Sequence, residues 1–453
     1  MSNTNNGDKV KNYSIWKDNV NLIDFPKLDN NLEIDVLIIG GGISGISILY
    51  ELVKTNLKTV LIEQNKIGMQ TTSNSTGKLT FLQNDLIDKI RINFDDKIAM
   101  DYLYSQLDAI KKIVNIIKKE KINCDLVKVP SILYTNSVKE IDKLKKLKEF
   151  LENSNIKVDL EITNLVDSKY MIRVDNTYIF NPLKYVYGIA RKLKNIYENT
   201  CAETLVNKGD YYLCYSGNYV IKAKKVIIAS HYPYFNFPFF FPLKGTLEKS
   251  YLSASKYNGN NISLISYSNP FISIRTYLDY LIYLSNSHTI NKSNDDKYNF
   301  NELIKKISDL NLKADYLWSN IDIITNDGLP YIGFIDKNLL IATGYNTWGL
   351  ATSILAGTII KDLIINEDNK YIPLFNPKRN SMGKILGSFN ALYKNISGYI
   401  CGQKGNYNKK CSHMGCKLLF NEIEKTWDCP CHGSRFSLDG KVIMSPANED
   451  IDR

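Results

Sequence analysis

Residues 35–53, DVLIIGGGISGISILYELV, indicate the fold class of this chain. The apolar run at 33–39 is bounded by polar residues, which is typical of a fully buried parallel strand. A glycine-rich turn and a helical pattern follow, and KTVLIEQ at 58–64 has the pattern of a second strand. The stretch therefore predicts a βαβ unit whose turn lies where such units bind anions.

Gly40, Gly42 and Gly45 form the pattern G-x-G-x-x-G within that turn. The first glycine allows a tight turn, the second lets the backbone approach a pyrophosphate, and the third lets the helix pack on the strand. Glu63 ends the second strand about 20 residues further on, where an acid binds the ribose of a dinucleotide. The pattern predicts a dinucleotide cofactor and leaves FAD and NAD open.

Composition and charge argue against a nucleic-acid-binding protein and against a secreted or membrane-spanning one. A chain of 453 residues favours two or three domains. The formal net charge of +10 comes from lysines scattered among acids on helical faces, so we expect no nucleic-acid surface. The N-terminus has no apolar core of signal-peptide length, and no run approaches the ~18 apolar residues of a membrane helix. We therefore expect a cytoplasmic protein without a membrane span.

Two boxes rich in Cys and His lie near the C-terminus: CSHMGC at 411–416 and CPCHGSRF at 429–436. Zinc accepts two Cys and two His, but structural zinc sites usually pair ligands at C-x2–4-C and H-x3–5-H spacing. A [2Fe–2S] cluster with two His replacing two Cys on one iron needs one thiolate and one imidazole from each box. The chemistry favours this cluster over zinc and over disulfides alone, with Cys411, His413, Cys429 and His432 as ligands.

Four stretches carry a resemblance to a known family: DVLIIGGGISGISILYELV, VLIEQNKIGMQTTSNSTGKLT, VIIAS and ATGYNTWGLATSILAG. They resemble the D-amino-acid-oxidase-like (glycine oxidase-like) FAD-dependent oxidoreductases, over roughly residues 14–370. The resemblance implies FAD, with an acid on the adenosine ribose and a Ser/Thr-rich segment beside the flavin. The residues that it assigns to FAD are Gly40, Gly42, Ser44, Gly45, Glu63, Thr72, Ser73, Ser75, Thr76, Gly77, Lys78, Val206, Ala229, Gly344, Trp348, Gly349 and Leu350.

This resemblance, together with the resemblance of the two C-terminal boxes to Rieske [2Fe–2S] domains, implies a fold of three parts. An α/β Rossmann-like FAD-binding domain is interleaved with an antiparallel α+β substrate domain, and a small, short all-β Rieske domain follows. We expect an N-terminal extension at 1–32, the oxidoreductase at 33–370, a linker at 371–386 and the Rieske domain at 387–453. Within the oxidoreductase, the FAD parts are expected at about 33–90, 176–235 and 316–370, and the substrate parts at about 91–175 and 236–315.

The two C-terminal boxes, including Gly415, Gly433 and Ser434, resemble the Rieske domain of respiratory cytochrome complexes. That resemblance implies a disulfide between Cys416 and Cys431. Phe436 stands where those proteins often have a Tyr near the cluster, so we expect a potential below the top of the roughly −150 to +300 mV Rieske range. Because the domain is short, two alternatives stay open: cluster affinity is lost, or the flavin domain supports the scaffold.

The whole chain resembles FAD-dependent oxidoreductases with a C-terminal Rieske domain. We expect oxidation of a small amine or amino-acid-like substrate at FAD, and single electrons passing through the cluster to an external acceptor. The alternative is a non-catalytic electron-transfer or redox-sensing protein. The expected partners are a small-molecule substrate and a one-electron acceptor or donor protein. Arg275, on a predicted strand of the substrate domain, is the candidate to clamp a substrate carboxylate.

Overall fold

The structure is a computed structural model that describes residues 10–163, 165–233, 241–268, 270–290, 296–403 and 408–451. In chain order its strands are β1 (Leu32–Ile39), β2 (Thr59–Ile62), β3 (Lys78–Leu79), β4 (Val127–Lys128), β5 (Ser131–Thr135), β6 (Asp159–Leu160), β7 (Tyr170–Val174), β8 (Tyr178–Ile179), β9 (Ile196–Tyr197), β10 (Thr204–Asn207), β11 (Tyr212–Ser216), β12 (Tyr219–Ile228), β13 (Gly245–Lys256), β14 (Ser263–Ser266), β15 (Ser273–Tyr277), β16 (Tyr280–Thr289), β17 (Ala314–Thr325), β18 (Tyr331–Asp336), β19 (Leu339–Thr343), β20 (Leu419–Asn421), β21 (Thr426–Asp428), β22 (Arg435–Phe436) and β23 (Val442–Met444).

The α-helices in chain order are α1 (Ile43–Leu52), α2 (Thr71–Asn74), α3 (Leu86–Asn93), α4 (Asp96–Lys119), α5 (Ile141–Asn153), α6 (Pro182–Ala190), α7 (Asp296–Asp309), α8 (Gly349–Ile365), α9 (Ile372–Phe375) and α10 (Met382–Gln403). Short 3-10 helices cover Ile15–Lys17, Val138–Glu140 and Phe241–Leu243. Within the described ranges, no helix is both long and apolar enough to cross a bilayer.

The first sheet is the predicted Rossmann-like one. Its order is β10-β11-β12-β1-β2-β9, with β19 on β12 and β18 on β19. β1 pairs in parallel with both β2 and β12, and its last four residues are buried because helices cover the sheet. Helix α1 packs against α8, where a Cβ added to Gly357 would lie 2.6 Å from the Ser47 carbonyl oxygen. The βαβ prediction is confirmed.

The second sheet is mostly antiparallel, in the order β17-β13-β16-β15-β14-β5-β7-β6. Its longest pairing joins β13 to β17 along nearly their whole lengths. Because successive side chains of a strand point to opposite faces, this pair separates two sets of residues. One face carries Asn320 and Asp322, and the other carries Lys249, Ser319 and Ile321. This interleaved arrangement agrees with the predicted fold class.

A third sheet, β20-β21-β22-β23, is small and antiparallel, and we call it the C-terminal sheet. Buried ion pairs join it to the second sheet: Asp428 accepts hydrogen bonds from Lys249 (2.6 Å) and from Nε of Arg435 (3.0 Å). Arg435 also donates to Glu424 (2.7 Å), which accepts the backbone N–H of Ser319 (3.0 Å). The C-terminal sheet therefore lies on the β13–β17 face that carries Lys249.

The C-terminal sheet also contacts the first sheet. The Asn65 amide, just after β2, donates to the carbonyl oxygens of Val442 (3.2 Å) and Ile443 (3.4 Å). The Asn448 amide donates to the Glu203 carbonyl oxygen at 3.2 Å. Of the two alternatives left open by the short domain, these contacts favour support from the flavin domain.

The expected linker at 371–386 is structured. It contains α9, and α10 begins at Met382 and continues past the expected domain boundary at residue 387. Arg379 donates from Nε (2.9 Å) and Nη2 (2.8 Å) to the buried carboxylate of Asp327 and also caps the Leu329 and Pro330 carbonyls. This ion pair fixes the segment to the loop before β18, and its role as a linker between the two domains stays a prediction.

Replacing Lys249 tests the attachment of the C-terminal sheet. Lys249→Met leaves the buried carboxylates of Asp296 and Asp428 without their shared cation, since Lys249 pairs with them at 2.7 and 2.6 Å. We expect the free energy of unfolding to fall by about 3–5 kcal/mol in urea titrations. Lys256→Met on the same strand is the control: it breaks a solvent-exposed pair with Asp279 and should leave the urea midpoint nearly unchanged. Equal losses in the two variants would contradict the attachment.

Candidate functional site

A cavity opens between the carboxyl ends of the parallel strands of the first sheet and one face of the second sheet. Eleven of the residues predicted to bind FAD line it: Gly40, Gly42, Ser44, Glu63, Thr72, Ser75, Thr76, Ala229, Trp348, Gly349 and Leu350. Its other wall comes from β13, β15, β16 and β17 and includes Ser250, Ser273, Leu284, Asn320 and Asp322. The cavity therefore touches both parts of the predicted oxidoreductase.

The three motif glycines have different steric surroundings. Gly40 has a φ of +112°, and an added Cβ would lie 2.8 Å from the Ser230 nitrogen. A Cβ on Gly45 would lie 1.9 Å from the Gly40 carbonyl oxygen, so this glycine is required for α1 to meet β1. A Cβ on Gly42 would meet only the Thr72 hydroxyl oxygen, at 3.5 Å. Gly42 is thus open toward the cavity, as close approach of a ligand to the backbone requires.

Glu63 holds the glycine turn against the end of β2. Its carboxylate accepts the backbone N–H groups of Gly41 (2.7 Å) and Asn65 (2.9 Å). Burial raises the pKa of Glu63, although those same N–H groups act in the opposite direction. The side chain lines the cavity within reach of a ligand hydroxyl group, which is the position that the sequence predicted for a ribose-binding acid.

Some residues assigned to FAD face elsewhere. The Lys78 ammonium group donates to the Leu264 carbonyl oxygen (2.6 Å) and to the Ser273 hydroxyl (2.8 Å), so it joins β3 to the second sheet. Val206 lies on the edge strand β10 and does not line the cavity, whereas residues 200–202 do. Ser73, Gly77 and Gly344 also support the cavity from outside its lining. The cavity lining does not include these residues, and their assignment to FAD stays a prediction.

Arg275 donates to backbone carbonyl groups and does not line the cavity. Its side chain is fully buried, and Nη1 donates to the carbonyl oxygens of Thr76 (3.1 Å), Gly77 and Phe180 (3.0 Å). Its guanidinium carbon lies 5.2 Å from the centre of the Trp16 ring. Arg275 therefore fixes the segment that borders the cavity, while its buried Nη2 has no hydrogen-bond partner, and a role in binding a substrate carboxylate stays a prediction.

Asp322 and Asn320 are cavity residues that the sequence prediction missed. The Asn320 amide donates to the Asp322 carboxylate at 2.9 Å. Burial raises the pKa of Asp322 to about 7, and the carboxylate of Glu248 opposite it acts in the same direction. A carboxylate between isoleucines, in NIDIIT, was the available signal, because an isolated charge on a buried strand needs a partner or a function.

Five buried polar atoms of the cavity wall lack a hydrogen-bond partner: Thr71 Oγ1, Ser230 Oγ, His231 Nε2, Asn320 Oδ1 and Ser445 Oγ. Burial lowers the pKa of His231 to about 4, so its imidazole is neutral at physiological pH. Unpartnered buried polar atoms are uncommon in proteins and indicate a polar ligand. The cavity therefore fits a ligand with hydrogen-bonding groups along its length.

The two C-terminal boxes meet at a second centre. The rings of His413 and His432 lie 5.1 Å apart at 87°, and the Nδ1 atoms of both are buried without a partner. Burial lowers the pKa of His413 to about 4 and that of His432 to about 3, so both imidazoles are neutral, the form that binds metal. Cys411 and Cys429 are buried free thiols, and a hydrogen bond from Cys429 lowers the pKa of Cys411. Two thiols and two imidazoles therefore converge.

Cys416 and Cys431 form a disulfide, with Cα atoms 6.7 Å apart, as the resemblance implied. The two boxes fold alike: the Gly415 N–H donates to the Cys411 carbonyl oxygen (2.9 Å), and the Gly433 N–H donates to that of Cys429 (3.1 Å). Both glycines have a positive φ, near +72° and +75°. The disulfide holds these two turns together beside the ligands. A lower potential caused by Phe436 stays a prediction.

A short segment joins the two centres. His231 lines the cavity, and the ring of the next residue, Tyr232, lies 5.7 Å from the ring of His432. A Cβ on Gly433 would meet Leu247 and Ile321 of the β13–β17 pair at 3.3 Å. Two consecutive residues, His231 and Tyr232, therefore reach from the cavity to the Cys/His centre. Elsewhere the β13–β17 pair lies between the two sites.

A comparison with protein-family models decides the family. The model described as FAD dependent oxidoreductase (DAO) matches residues 35–363. This chain belongs to the DAO family. A second model, the Rieske [2Fe-2S] domain, matches residues 380–453. The DAO domain is an FAD-dependent oxidoreductase, and the Rieske domain carries a [2Fe–2S] cluster.

Similar proteins agree with this two-part organisation. The Rieske 2Fe-2S iron-sulfur protein YhfW of Bacillus subtilis (strain 168) is 28% identical over 95% of this chain and 95% of its own length. The cytochrome b6-f complex iron-sulfur subunit of Synechococcus sp. (strain JA-3-3Ab) is 42% identical over 11% of this chain and 31% of its own length.

Solved structures of the DAO fold resemble the larger part. Glycine oxidase from Geobacillus kaustophilus has a TM-score of 0.65 at 16% identity, covering 77% of this chain and 100% of that one. L-amino acid deaminase from Proteus vulgaris has a TM-score of 0.63 at 15% identity, covering 79% of this chain and 100% of that one. At these identities the likeness concerns the fold.

The residues present fit both cofactors. The DAO cavity offers an open Gly42, the buried Glu63 carboxylate and the five unpartnered polar atoms of its wall. The Rieske centre offers one thiol and one neutral imidazole from each box, which is the donor set of a Rieske cluster.

Two glycine substitutions test the FAD assignment. Gly42→Ala adds a methyl group to the open cavity wall, so we expect a folded protein whose affinity for FAD falls at least tenfold. Gly45→Ala forces a Cβ against the Gly40 carbonyl oxygen, so we expect little folded protein. FAD titration of the apoprotein, together with circular dichroism, measures both effects. Unchanged FAD affinity in Gly42→Ala would contradict the position of the pyrophosphate.

Substitution of Arg275 separates a structural role from a clamp. Arg275→Leu removes the donor from three carbonyl oxygens, and we expect the free energy of unfolding to fall by about 3 kcal/mol or more. Urea unfolding of the FAD-bound protein measures the loss. A clamp predicts instead unchanged stability with weaker binding of carboxylate ligands.

Proposed function

We propose that this chain oxidises a small amine or amino-acid-like substrate in the DAO cavity. Electrons then leave one at a time, through the Rieske centre, to an external acceptor protein. The observation that carries the proposal concerns two consecutive residues. His231 lines the cavity, and the ring of Tyr232 lies beside the ring of the proposed cluster ligand His432. An enzyme that used the cavity alone would have no need for a second redox centre attached at this point.

The two cofactors supply complementary chemistry: FAD accepts two electrons together and can release them singly, whereas a Rieske cluster exchanges one. In the proposed oxidation, the substrate loses the hydrogen of its α C–H bond with the electron pair, and its nitrogen loses a proton to solvent. A C=N bond forms, which water then hydrolyses. The external acceptor takes two electrons in total for each substrate.

The protein's own residues are proposed to bind and orient. The open backbone at Gly42 admits the pyrophosphate, and the Glu63 carboxylate accepts from the ribose. Trp348, which donates from Nε1 to the Asn84 side chain at 3.3 Å, forms a fixed apolar part of the wall. The neutral imidazoles of His413 and His432 would hold one iron of the cluster, and the thiolates of Cys411 and Cys429 would hold the other.

The docked Rieske domain supports internal electron transfer. The buried pairs of Asp428 with Lys249 and Arg435 hold the domain on the sheet that also lines the cavity. Ser445, on the loop after β23, reaches the cavity lining itself. Because the redox centre is fixed against the flavin cavity, electron transfer between the two sites does not depend on a diffusional encounter between separate proteins.

A second candidate is a non-catalytic electron carrier or redox sensor. One observation favours it: Arg275 is engaged by backbone carbonyls, and the described residues lining the cavity include no arginine. An amino-acid carboxylate would therefore lack the partner that usually holds it. In this case no small molecule would reduce the protein.

Anaerobic reduction tests the proposal. A panel of amines and amino acids is mixed with the protein holding both cofactors, and flavin bleaching is followed together with reduction of a one-electron acceptor, cytochrome c. We expect at least one substrate to bleach the flavin. Variants Cys429→Ser and His413→Ala should keep flavin bleaching but lose at least tenfold in the rate of acceptor reduction, because the cluster ligands are missing.

Bound flavin measured in each variant is the control for folding. Equal rates of acceptor reduction with and without cluster ligands would contradict transfer through the Rieske centre. Bleaching by a reduced ferredoxin, with none by any panel member, would favour the carrier.

A further inference from the structure

The cavity wall formed by the second sheet carries the carboxylate of Asp322, and the carboxylate of Glu248 lies beside it. Asn320 and Asp322 lie on the same face of β17, two positions apart, and both line the cavity. Their partners across the β13 pairing are Ser250 and Glu248. Directly opposed residues of an antiparallel pair point to the same side, so two carboxylates lie next to each other here.

This wall carries hydrogen-bond acceptor atoms that have too few hydrogen-bond donors around them. Asn320 is 4% exposed, its amide nitrogen donates to one oxygen of Asp322 (2.9 Å), and its own Oδ1 is buried without a partner. The Asp322 carboxylate receives no hydrogen bond from a cation in the described structure. A ligand that brings two or more N–H groups would complete these acceptors, whereas a carboxylate would add further acceptors.

Lys89 and Lys394 lie near Glu248 and act to lower its pKa, against the effect of burial, whereas the other cations of the region are engaged elsewhere. Lys249 lies on the opposite face of β13 and pairs with Asp296 and Asp428. Arg275 and Lys78 donate to backbone carbonyls. Lys66, the single Lys or Arg among the described residues lining the cavity, pairs with Asp24 and Glu198 next to the end of β2.

The electrostatic environment of Asp322 also favours a positively charged ligand. Burial and the neighbouring Glu248 both disfavour the ionised form of Asp322, which raises its pKa to about 7. The same conditions favour any ligand that brings a positive charge, because that charge relieves the repulsion between the two carboxylates. An anionic ligand would increase the repulsion.

We propose that Asp322 and Asn320 bind the protonated amino group of the substrate, and that the substrate is an amine without a carboxylate beside its nitrogen. This inference rests on the proposed function and names its substrate class. Asp322 acts as the counter-ion, and Oδ1 of Asn320 accepts a second N–H. The cavity would thus select for a positive charge rather than for a carboxylate.

Three probes of one shape test this inference on the protein with FAD bound: tert-butylamine, tert-butanol and pivalate. tert-Butylamine has no hydrogen on the carbon that bears nitrogen, so it can bind but cannot be oxidised. Each probe is titrated at pH 8 while the change in the flavin absorption spectrum is recorded. We expect the dissociation constant of tert-butylamine to be at least tenfold below that of tert-butanol, with pivalate the weakest.

Asp322→Asn should remove at least tenfold of the affinity for tert-butylamine and leave tert-butanol unchanged. Asp279→Asn, which removes an exposed carboxylate from the turn before β16, is the matched control and should change neither. Retained flavin absorbance shows that Asp322→Asn is folded, since the substitution preserves shape.

Tighter binding of pivalate than of tert-butylamine, or an unchanged preference in Asp322→Asn, would overturn the inference. The proposed oxidation can fail separately. If the probes show the amine preference while no amine bleaches the flavin, amino-group recognition stands and the oxidation fails. If amines bleach the flavin without any amine preference among the probes, the oxidation stands and this inference fails.

Discussion

The β13–β17 pair is the constraint on which the two centres depend. Adjacent side chains of a strand point to opposite faces, so one pair of strands can serve two environments. Asn320 and Asp322 line the cavity, whereas Lys249 and Ser319 bind the Rieske domain behind it. A one-residue slip in the register would exchange these faces and disrupt both centres. The distance between the cofactor sites is therefore set by the thickness of a sheet.

The buried ion pairs explain how a short Rieske domain is held in one docked arrangement. Four short strands bury little apolar surface by themselves, and small domains are correspondingly marginal. Asp428 is held by both Lys249 and Arg435, and Arg435 also reaches Glu424, which binds Ser319 of the sheet. Charges buried in this way are costly when one partner is lost, so they specify a single docked arrangement rather than adding much net stability.

The sequence predicted those features whose chemistry is local. The glycine turn at 40–45 and the Cys/His boxes follow from short spacings, and the Rossmann-like fold, FAD and the Rieske domain are confirmed. Arg275, Lys78 and the linker at 371–386 depended on contacts between residues far apart in the chain, such as Arg379 with Asp327. An arginine on a predicted strand does not reveal whether carbonyl groups or a substrate will meet its guanidinium group. Only the assembled sheets determine that.

The central claim is that one chain holds a flavin cavity and a working Rieske centre on the two sides of one sheet. Anaerobic purification, followed by quantitation of flavin, iron and acid-labile sulfide and by EPR of the dithionite-reduced protein, tests it most directly. The account predicts about one FAD, two irons and two sulfides per chain, with the EPR signal of a reduced Rieske cluster. One FAD per chain without iron, and no Rieske signal, would contradict it.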